Sequence, residues 1–270
     1  MEKIKIGFIG GGHMAGALIG GLLKVGEWPP ENIFVAERNE NIRLRLSQDR
    51  GVCVLETPSA LPKDLAAVIV AVRPADVRAA CADIGPGVVV ISIAAGVPIA
   101  VLKKWLGRKN NDGVARVMPN TPASLGYGMS VGCGDKNAQA VAVAIFSAVG
   151  EVLWTDDESM LAAVTAVSGG GPGYVYYFME ALEEAAVNLG LSGDWARRLV
   201  IQTVVGGAVM ASQSGEPPAA LRRAVAVSGG TTEQALSVLE ARDFRKIVQA
   251  ALKAANDRAK RIGAQYENDD

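Results

Sequence analysis

The residues best placed to do chemistry stand near the start of the chain. Gly10-Gly11-Gly12-His13-Met14-Ala15 follows the apolar run at residues 4–9 and precedes the helical apolar pattern Ala17, Leu18, Ile19, Leu22, Leu23. Gly-x-Gly-x-x-Ala between a strand and a helix is the arrangement a dinucleotide-binding βαβ unit requires. Gly10 allows the tight turn, Gly12 lets the backbone approach a pyrophosphate, and Ala15 permits close helix–strand packing. The N–H groups and dipole at the helix start then favour the phosphates, with His13 and Met14 beside them. The alternative is an ordinary glycine-rich βα turn, and the order of strand, turn and helix argues against it.

A second strand ends at Ala36-Glu37-Arg38-Asn39. An acidic residue here holds ribose hydroxyls and favours NAD, whereas a nearby Arg receives the 2′-phosphate of NADP. This chain has both: Glu37 argues for NAD, and Arg38, with Asn39 as a further donor, for NADP. The residues alone leave that choice open. Arg43 and Arg45 read as solvated helix residues. Ala71-Val72-Arg73-Pro74 and Ser92-Ile93-Ala94-Ala95-Gly96-Val97 end two further strands, at the edge where open α/β sheets bind ligands. Their small residues leave room for a nicotinamide ring. In Arg116-Val117-Met118-Pro119-Asn120-Thr121-Pro122 two prolines fix the path, and Asn120 can offer its amide to the ring or its carboxamide. Each segment also reads as a plain strand-ending turn.

The elements that must position these residues alternate. Strand-like runs occur at residues 4–9, 33–36, 67–72, 88–93, 113–118 and 129–132, mostly separated by helical stretches. Continuous apolar character at 67–72 and 88–93 fits strands covered on both faces. The fold class expected is therefore a Rossmann-like α/β unit with a parallel, doubly wound sheet. Beyond about residue 158 helices dominate, at 159–167, 173–189, 194–212, 218–227, 232–239 and 243–262. Gly190 closes one, Ser192 or Asp194 caps the next, and Pro217-Pro218 opens another. The boundary is placed near residues 155–157, giving a dinucleotide-binding domain at 1–156 and an all-α domain at 157–270. Several of these helices are apolar nearly all round, so self-association is the natural way to bury them.

Bulk properties narrow the class. The 270 residues are 50% hydrophobic and 20% charged with net charge −1, which suits soluble domains with a sizeable core and argues against nucleic acid as a partner. Cys53, Cys81 and Cys133 are scattered and odd in number, as expected of reduced thiols in a cytoplasmic protein. His13 is the sole histidine, so no metal is expected. Lys3 and Lys5 precede an apolar stretch, but its four glycines by Gly12 and the lack of a small-x-small site argue against a secretory signal. No apolar run is long enough to predict a membrane span.

With these segments assembled, the chain resembles the pyrroline-5-carboxylate reductases over nearly its whole length. The glycine loop, Ala71-Val72-Arg73-Pro74, residues 92–97 and residues 116–122 all have counterparts in that family. The most specific segments are Val167-Ser168-Gly169-Gly170-Gly171-Pro172-Gly173-Tyr174-Val175 and Gly229-Gly230-Thr231-Thr232. The chain departs from the family pattern at His13 (usually Asn), Arg73 (Lys), Gly170 (Ser), Gly173 (Ala) and Val227-Ser228 (Ser-Pro).

The resemblance implies hydride transfer from NADPH, with NADH as the second option, to the C=N carbon of 1-pyrroline-5-carboxylate, giving L-proline. It implies cofactor contacts from Gly10, Gly12, His13, Met14, Arg38, Asn39, Ala71, Val72, Arg73, Pro74, Ala94, Ala95, Gly96 and Asn120, and substrate contacts from Gly171, Pro172, Gly230, Thr231 and Thr232. Thr232 is the expected catalytic contact to the substrate nitrogen; a plain N-cap is the alternative for Thr231-Thr232. It further implies a homodimer, and rings of dimers, with no membrane partner. The residues agree with imine chemistry. No lysine lies between Lys136 and Lys246, which weighs against a β-hydroxyacid dehydrogenase, the main rival, since that class uses a lysine acid there. A protonated imine needs orientation more than a strong acid. A reductase of another cyclic imine and a nucleotide-binding module without catalysis are the remaining alternatives. Asp156-Asp157-Glu158 reads as a solvated helix start, Glu216 as a solvated loop residue, and Tyr174, Tyr176 and Tyr177 as core or interface aromatics.

Overall fold

A computed structural model describes residues 4–26, 28–109 and 111–267. Among them, β1 (Ile6–Ile9), β2 (Ile33–Ala36), β3 (Cys53–Leu55), β4 (Ala67–Val70), β5 (Val89–Ser92), β6 (Val114–Met118), β7 (Gly128–Gly134) and β8 (Gly150–Trp154) form one sheet in the order β3-β2-β1-β4-β5-β6-β7-β8. The helices interleaved with them are α1 (His13–Val25), α2 (Glu40–Arg50), α3 (Val77–Ala82), α4 (Ile99–Trp105) and α5 (Lys136–Ser147).

Side-chain alternation along the strands explains the two covered faces. Phe8, Ile69 and Ile91 are register partners and enter one core with Leu18, Ile19 and Leu22 of α1 and Ile145 and Phe146 of α5. Ile9, Val68, Val70 and Val90 point the other way, into a core with Val77 and Cys81 of α3 and Val101 and Leu102 of α4. This is the doubly wound arrangement expected. The expected all-parallel sheet needs one correction: β7 runs antiparallel to β6. Only residues 119–127, which include the short 3₁₀ segment Thr121–Leu125, join them, and a parallel crossover needs a dozen or more residues. β8 follows α5 and is parallel to β7.

Inter-residue contacts divide the chain into residues 1–172 with 254–270, and residues 173–253. The first unit therefore also contains α6 (Met160–Val164), the π-turn Thr165–Gly169, and the end of the last helix. Leu161 of α6 packs with Val131 and Cys133 of β7, which places the helix with the sheet rather than beyond it. That division lies later than the expected 156/157 boundary, which marked the change in sequence character.

The second unit consists of α7 (Gly171–Asn188, from Gly173 on), α8 (Gly193–Gln213), α9 (Pro218–Val225), α10 (Thr231–Ala241) and the start of α11 (Phe244–Glu267). Gly190 is left-handed after α7, Ser192 accepts from Trp195 N–H at the start of α8, and Pro217-Pro218 opens α9, as read from sequence. Ala196 and Val200 are its buried apolar side chains, while Tyr176, Tyr177, Val205, Val209 and Met210 are exposed. Such faces call for a partner surface. Among the described residues no helix is long and apolar enough to cross a membrane, and no group of His, Cys, Asp and Glu could hold a metal ion.

Candidate functional site

The β1–α1 loop forms where β1 ends at the carboxyl edge of the sheet. Gly10 has φ of +96°, and a Cβ there would lie 2.7 Å from the Ala71 carbonyl oxygen, so glycine is obligatory on both counts. Gly12 caps α1 with extended backbone, and a Cβ there would meet no protein atom within 4 Å. Protein packing does not demand a glycine at that point, whereas close approach of a phosphate does. His13 is exposed on the first turn of α1, Met14 is half-buried, and Ala15 is fully buried against the sheet. The donor set and open helix start therefore fit a dinucleotide, and the first turn of α1 carries no acidic residue to oppose it.

The loop after β2 answers the Glu37 question in an unexpected way. One carboxylate oxygen of Glu37 accepts the Gly11 N–H at 2.7 Å and the other the Asn39 N–H at 2.8 Å. Glu37 thus ties the glycine loop to the β2–α2 turn. Asn39 spends its side-chain oxygen capping α2 through the Ile42 N–H. Arg43 is not simply solvated: its guanidinium donates to the Glu37 and Arg38 carbonyls at 2.8 and 2.9 Å. Arg38 itself projects outward, its side chain 79% exposed, with Asp76 3.9 Å away. Asp76 also accepts from Arg73 Nε at 3.0 Å. This acid went unremarked in the sequence, although its place three residues after Arg73 at a helix start was a signal.

The remaining expected cofactor residues line the same edge unequally. Ala71 and Val72 are half-buried beside Gly10, Arg73 is exposed, and Pro74 opens a short 3₁₀ turn. Ala94 is buried and Ala95 half-buried. Gly96 has φ of +86°, and a Cβ there would meet Ile262 at 2.6 Å, so its glycine is explained by packing against α11. Asn120 differs most from expectation. It is buried, its Oδ1 accepts the Met129 N–H at 2.9 Å, and its Nδ2 donates to the Ser168 carbonyl at 3.1 Å. Its carboxamide holds the protein together here rather than reaching outward.

Glu158 also departs from the solvated helix start read from sequence. It accepts from Arg116 at 2.6 Å and from the Ile99 N–H at 2.8 Å, joining β6, α4 and the segment before α6. Gly171 and Pro172, half-buried, follow the π-turn in this first unit.

Gly230, Thr231 and Thr232 lie in the second unit. Gly230 is the N-cap of α10, so both threonines fall inside the helix and the simple N-cap alternative does not describe them. The Gly229 N–H is taken by Glu233 at 2.7 Å, a reach-back from the first turn. Thr231 and Thr232 are exposed, and among the described residues no hydrogen bond engages either hydroxyl. A helix start with open N–H groups and two unengaged hydroxyls can receive a carboxylate and a nitrogen donor.

The doubly wound sheet, the glycine loop and the arginine-bearing turns beside it define an oxidoreductase of the dinucleotide-binding class, with a separate helical unit. The sequence model described as pyrroline-5-carboxylate reductase dimerisation matches residues 158–262, and that described as NADP oxidoreductase coenzyme F420-dependent matches residues 5–96. A pyrroline-5-carboxylate reductase of Pseudomonas aeruginosa is 39% identical over 98% of this chain and 99% of its own length. That of Arabidopsis thaliana is 36% identical over 97% of this chain and 96% of its own. Among solved structures, a pyrroline-5-carboxylate reductase from Coxiella burnetii has a TM-score of 0.86 at 36% identity, covering 97% of this chain and 99% of that one. The Plasmodium falciparum pyrroline carboxylate reductase with NADP bound has a TM-score of 0.87 at 31% identity over the same shares of the two chains. The chain belongs to the pyrroline-5-carboxylate reductase family, and its helical half carries that family's dimerisation domain.

Proposed function

We propose that the protein reduces 1-pyrroline-5-carboxylate to L-proline, the last step of proline biosynthesis, with NADPH as the preferred cofactor and NADH as the second. The observation that carries this is family similarity running through both halves of the chain, at 39% identity over 98% of it. The bound dinucleotide supplies the hydride that the C=N carbon receives. Gly10 and Gly12 shape the pyrophosphate loop, His13, Met14 and Asn39 flank it, and Ala71, Val72, Arg73, Pro74, Ala94, Ala95 and Gly96 form the edge beside the nicotinamide. Arg38 takes the 2′-phosphate, because its guanidinium is exposed and weakly held.

The helix start at Gly230 and Thr231 binds the substrate carboxylate, Gly171 and Pro172 border the ring, and the Thr232 hydroxyl orients the imine nitrogen. The substrate arrives protonated, so its nitrogen keeps that proton as the carbon gains hydride. No lysine between Lys136 and Lys246 competes for the part of an acid, which sets this reading above a hydroxyacid dehydrogenase. Dinucleotide binding is assigned to residues 1–156 and substrate and dimer functions to 157–270. A homodimer, grouped into rings, would cover the apolar helix faces of the second unit, and a cytoplasmic location is in keeping with three free thiols. Incubation with NADPH and the imine is expected to yield proline in step with the NADPH consumed; cofactor loss without proline would refute the reaction.

A further inference from the structure

The turn before α7 has a hydrogen-bonding problem. Residues Thr165–Gly169 form a π-turn closed by the Gly170 N–H on the Thr165 carbonyl at 2.9 Å. Were α-helical spacing to run on from the π-turn into α7, the Ser168 carbonyl would accept the N–H four residues on. That residue is Pro172, which has none. A carbonyl left without a donor in a half-buried residue is unfavourable. Packing does little to hold the far end of the turn either. It reads Gly169-Gly170-Gly171-Pro172-Gly173, and a Cβ on Gly171 or Gly173 would meet nothing within 4 Å. Glycine gives the backbone many alternatives, so something outside the turn must select one.

Asn120 does so. Its Nδ2 reaches the Ser168 carbonyl, and its Oδ1 is anchored by the Met129 N–H of β7. The orientation of the carboxamide is dictated by chemistry: turned over, it would set oxygen against carbonyl and NH₂ against N–H. The same strand end supports the turn from beneath, since a Cβ at Gly169 would sit 3.4 Å from Met118 Sδ. Asn120 is 8% exposed, buried enough for the bond to be shielded from competing water.

We propose that Asn120 is a positioning residue for the substrate: its buried carboxamide supplies the hydrogen bond that Pro172 cannot give to the Ser168 carbonyl, and so sets the turn that presents Gly171 and Pro172. This rests on the assignment of those two residues to the substrate, and it replaces the sequence-based expectation that Asn120 binds the cofactor.

The test compares Asn120→Asp with the intact enzyme. Aspartate keeps the shape and the acceptor for the Met129 N–H, but turns an ionised oxygen toward the Ser168 carbonyl. At neutral pH, KM for 1-pyrroline-5-carboxylate should rise about tenfold or more, as a lost hydrogen bond to a buried acceptor implies, while NADPH affinity stays within about twofold. Relative to the intact enzyme, the defect should shrink as pH falls toward about 5, where a carboxyl beside a carbonyl is protonated and can donate. Weakened NADPH binding with unchanged KM for the imine would overturn the proposal, as would a defect that does not recover at low pH. Amide hydrogen exchange provides a readout independent of turnover. In Asn120→Ala, exchange over residues 165–171 should accelerate while β1 stays protected, and adding Pro172→Ala, which restores an N–H, should return part of the protection. If the two substitutions only accumulate damage, the bond is not complementary to Pro172. An enzyme inactive on the imine would remove the proposed function, and the exchange measurement would still decide the Asn120 bond.

Discussion

Removing the Arg38 side chain should separate the two cofactors. The guanidinium is 79% exposed, and its one described ionic neighbour, Asp76, is at the limit of contact, 3.9 Å, and shared with Arg73. An exposed pair of this kind contributes about 0–1 kcal/mol, so Arg38→Ala should leave the fold intact. Toward a 2′-phosphate the same group would make charge-assisted hydrogen bonds of about 1.5–3 kcal/mol. At roughly 1.4 kcal/mol per decade, that is about a 10- to 100-fold loss of NADPH affinity. NADH lacks the phosphate. Its ribose hydroxyls would use the lone pairs that Glu37 retains after accepting the Gly11 and Asn39 N–H groups. NADH affinity should therefore change by less than about threefold, within the effect of one exposed charge. Titration of each reduced cofactor by its fluorescence, at fixed ionic strength because salt screens exposed charges, measures both numbers. Equal weakening of the two would refute the assignment, and so would NADPH binding that does not respond.

Three further outcomes follow from the geometry. Thr232→Ala should lower kcat by about 10-fold or more, the scale of one oriented hydrogen bond, with NADPH affinity retained; wild-type turnover would remove Thr232 from the mechanism. Burial alone would push the Asp135 carboxyl up, but the hydrogen bond from Lys103 at 2.7 Å and that from the Val114 N–H outweigh it and hold the carboxyl below its ordinary value. Its stabilisation is thus present above the usual carboxylate range and lost as pH falls through the depressed value; Asp135→Asn should cost about 1–3 kcal/mol at neutral pH by leaving the half-buried Lys103 ammonium without its carboxylate and flatten the acid side of a Tm–pH profile. Burial pushes the Cys81 thiol up to about 11 and the Cys133 thiol upward as well. Mass spectrometry after mild alkylation should therefore find half-buried Cys53 modified first, and early labelling of Cys81 would contradict the packing of α3.

Much of this was legible from residues because the signals were local. Gly10 and Ala15 each answer to a steric demand that spacing alone reveals, and the apolar runs at β4 and β5 announce strands buried on both faces. What escaped depended on pairings across the chain. β3 has three half-buried residues and β8 alternates at the edge, so neither rises above its surroundings in sequence. The antiparallel turn of β7 is set by the length of the link from β6, not by its composition. Asn120, Glu37 and Glu158 carry polar groups that suit a ligand as well as a backbone N–H. Choosing between those uses needs partners 48, 26 and 42 residues away. The departures at Gly170, Val227 and Ser228 remain without a structural explanation in this chain.

The nicotinamide absorbance of NADPH decides whether this chain reduces a cyclic imine. The purified protein should oxidise NADPH rapidly when 1-pyrroline-5-carboxylate is present and only then, more efficiently than NADH, and should not reduce NADP⁺ with β-hydroxy acids. Cofactor that binds but is never oxidised by the imine, or turnover confined to hydroxy acids, would contradict the account.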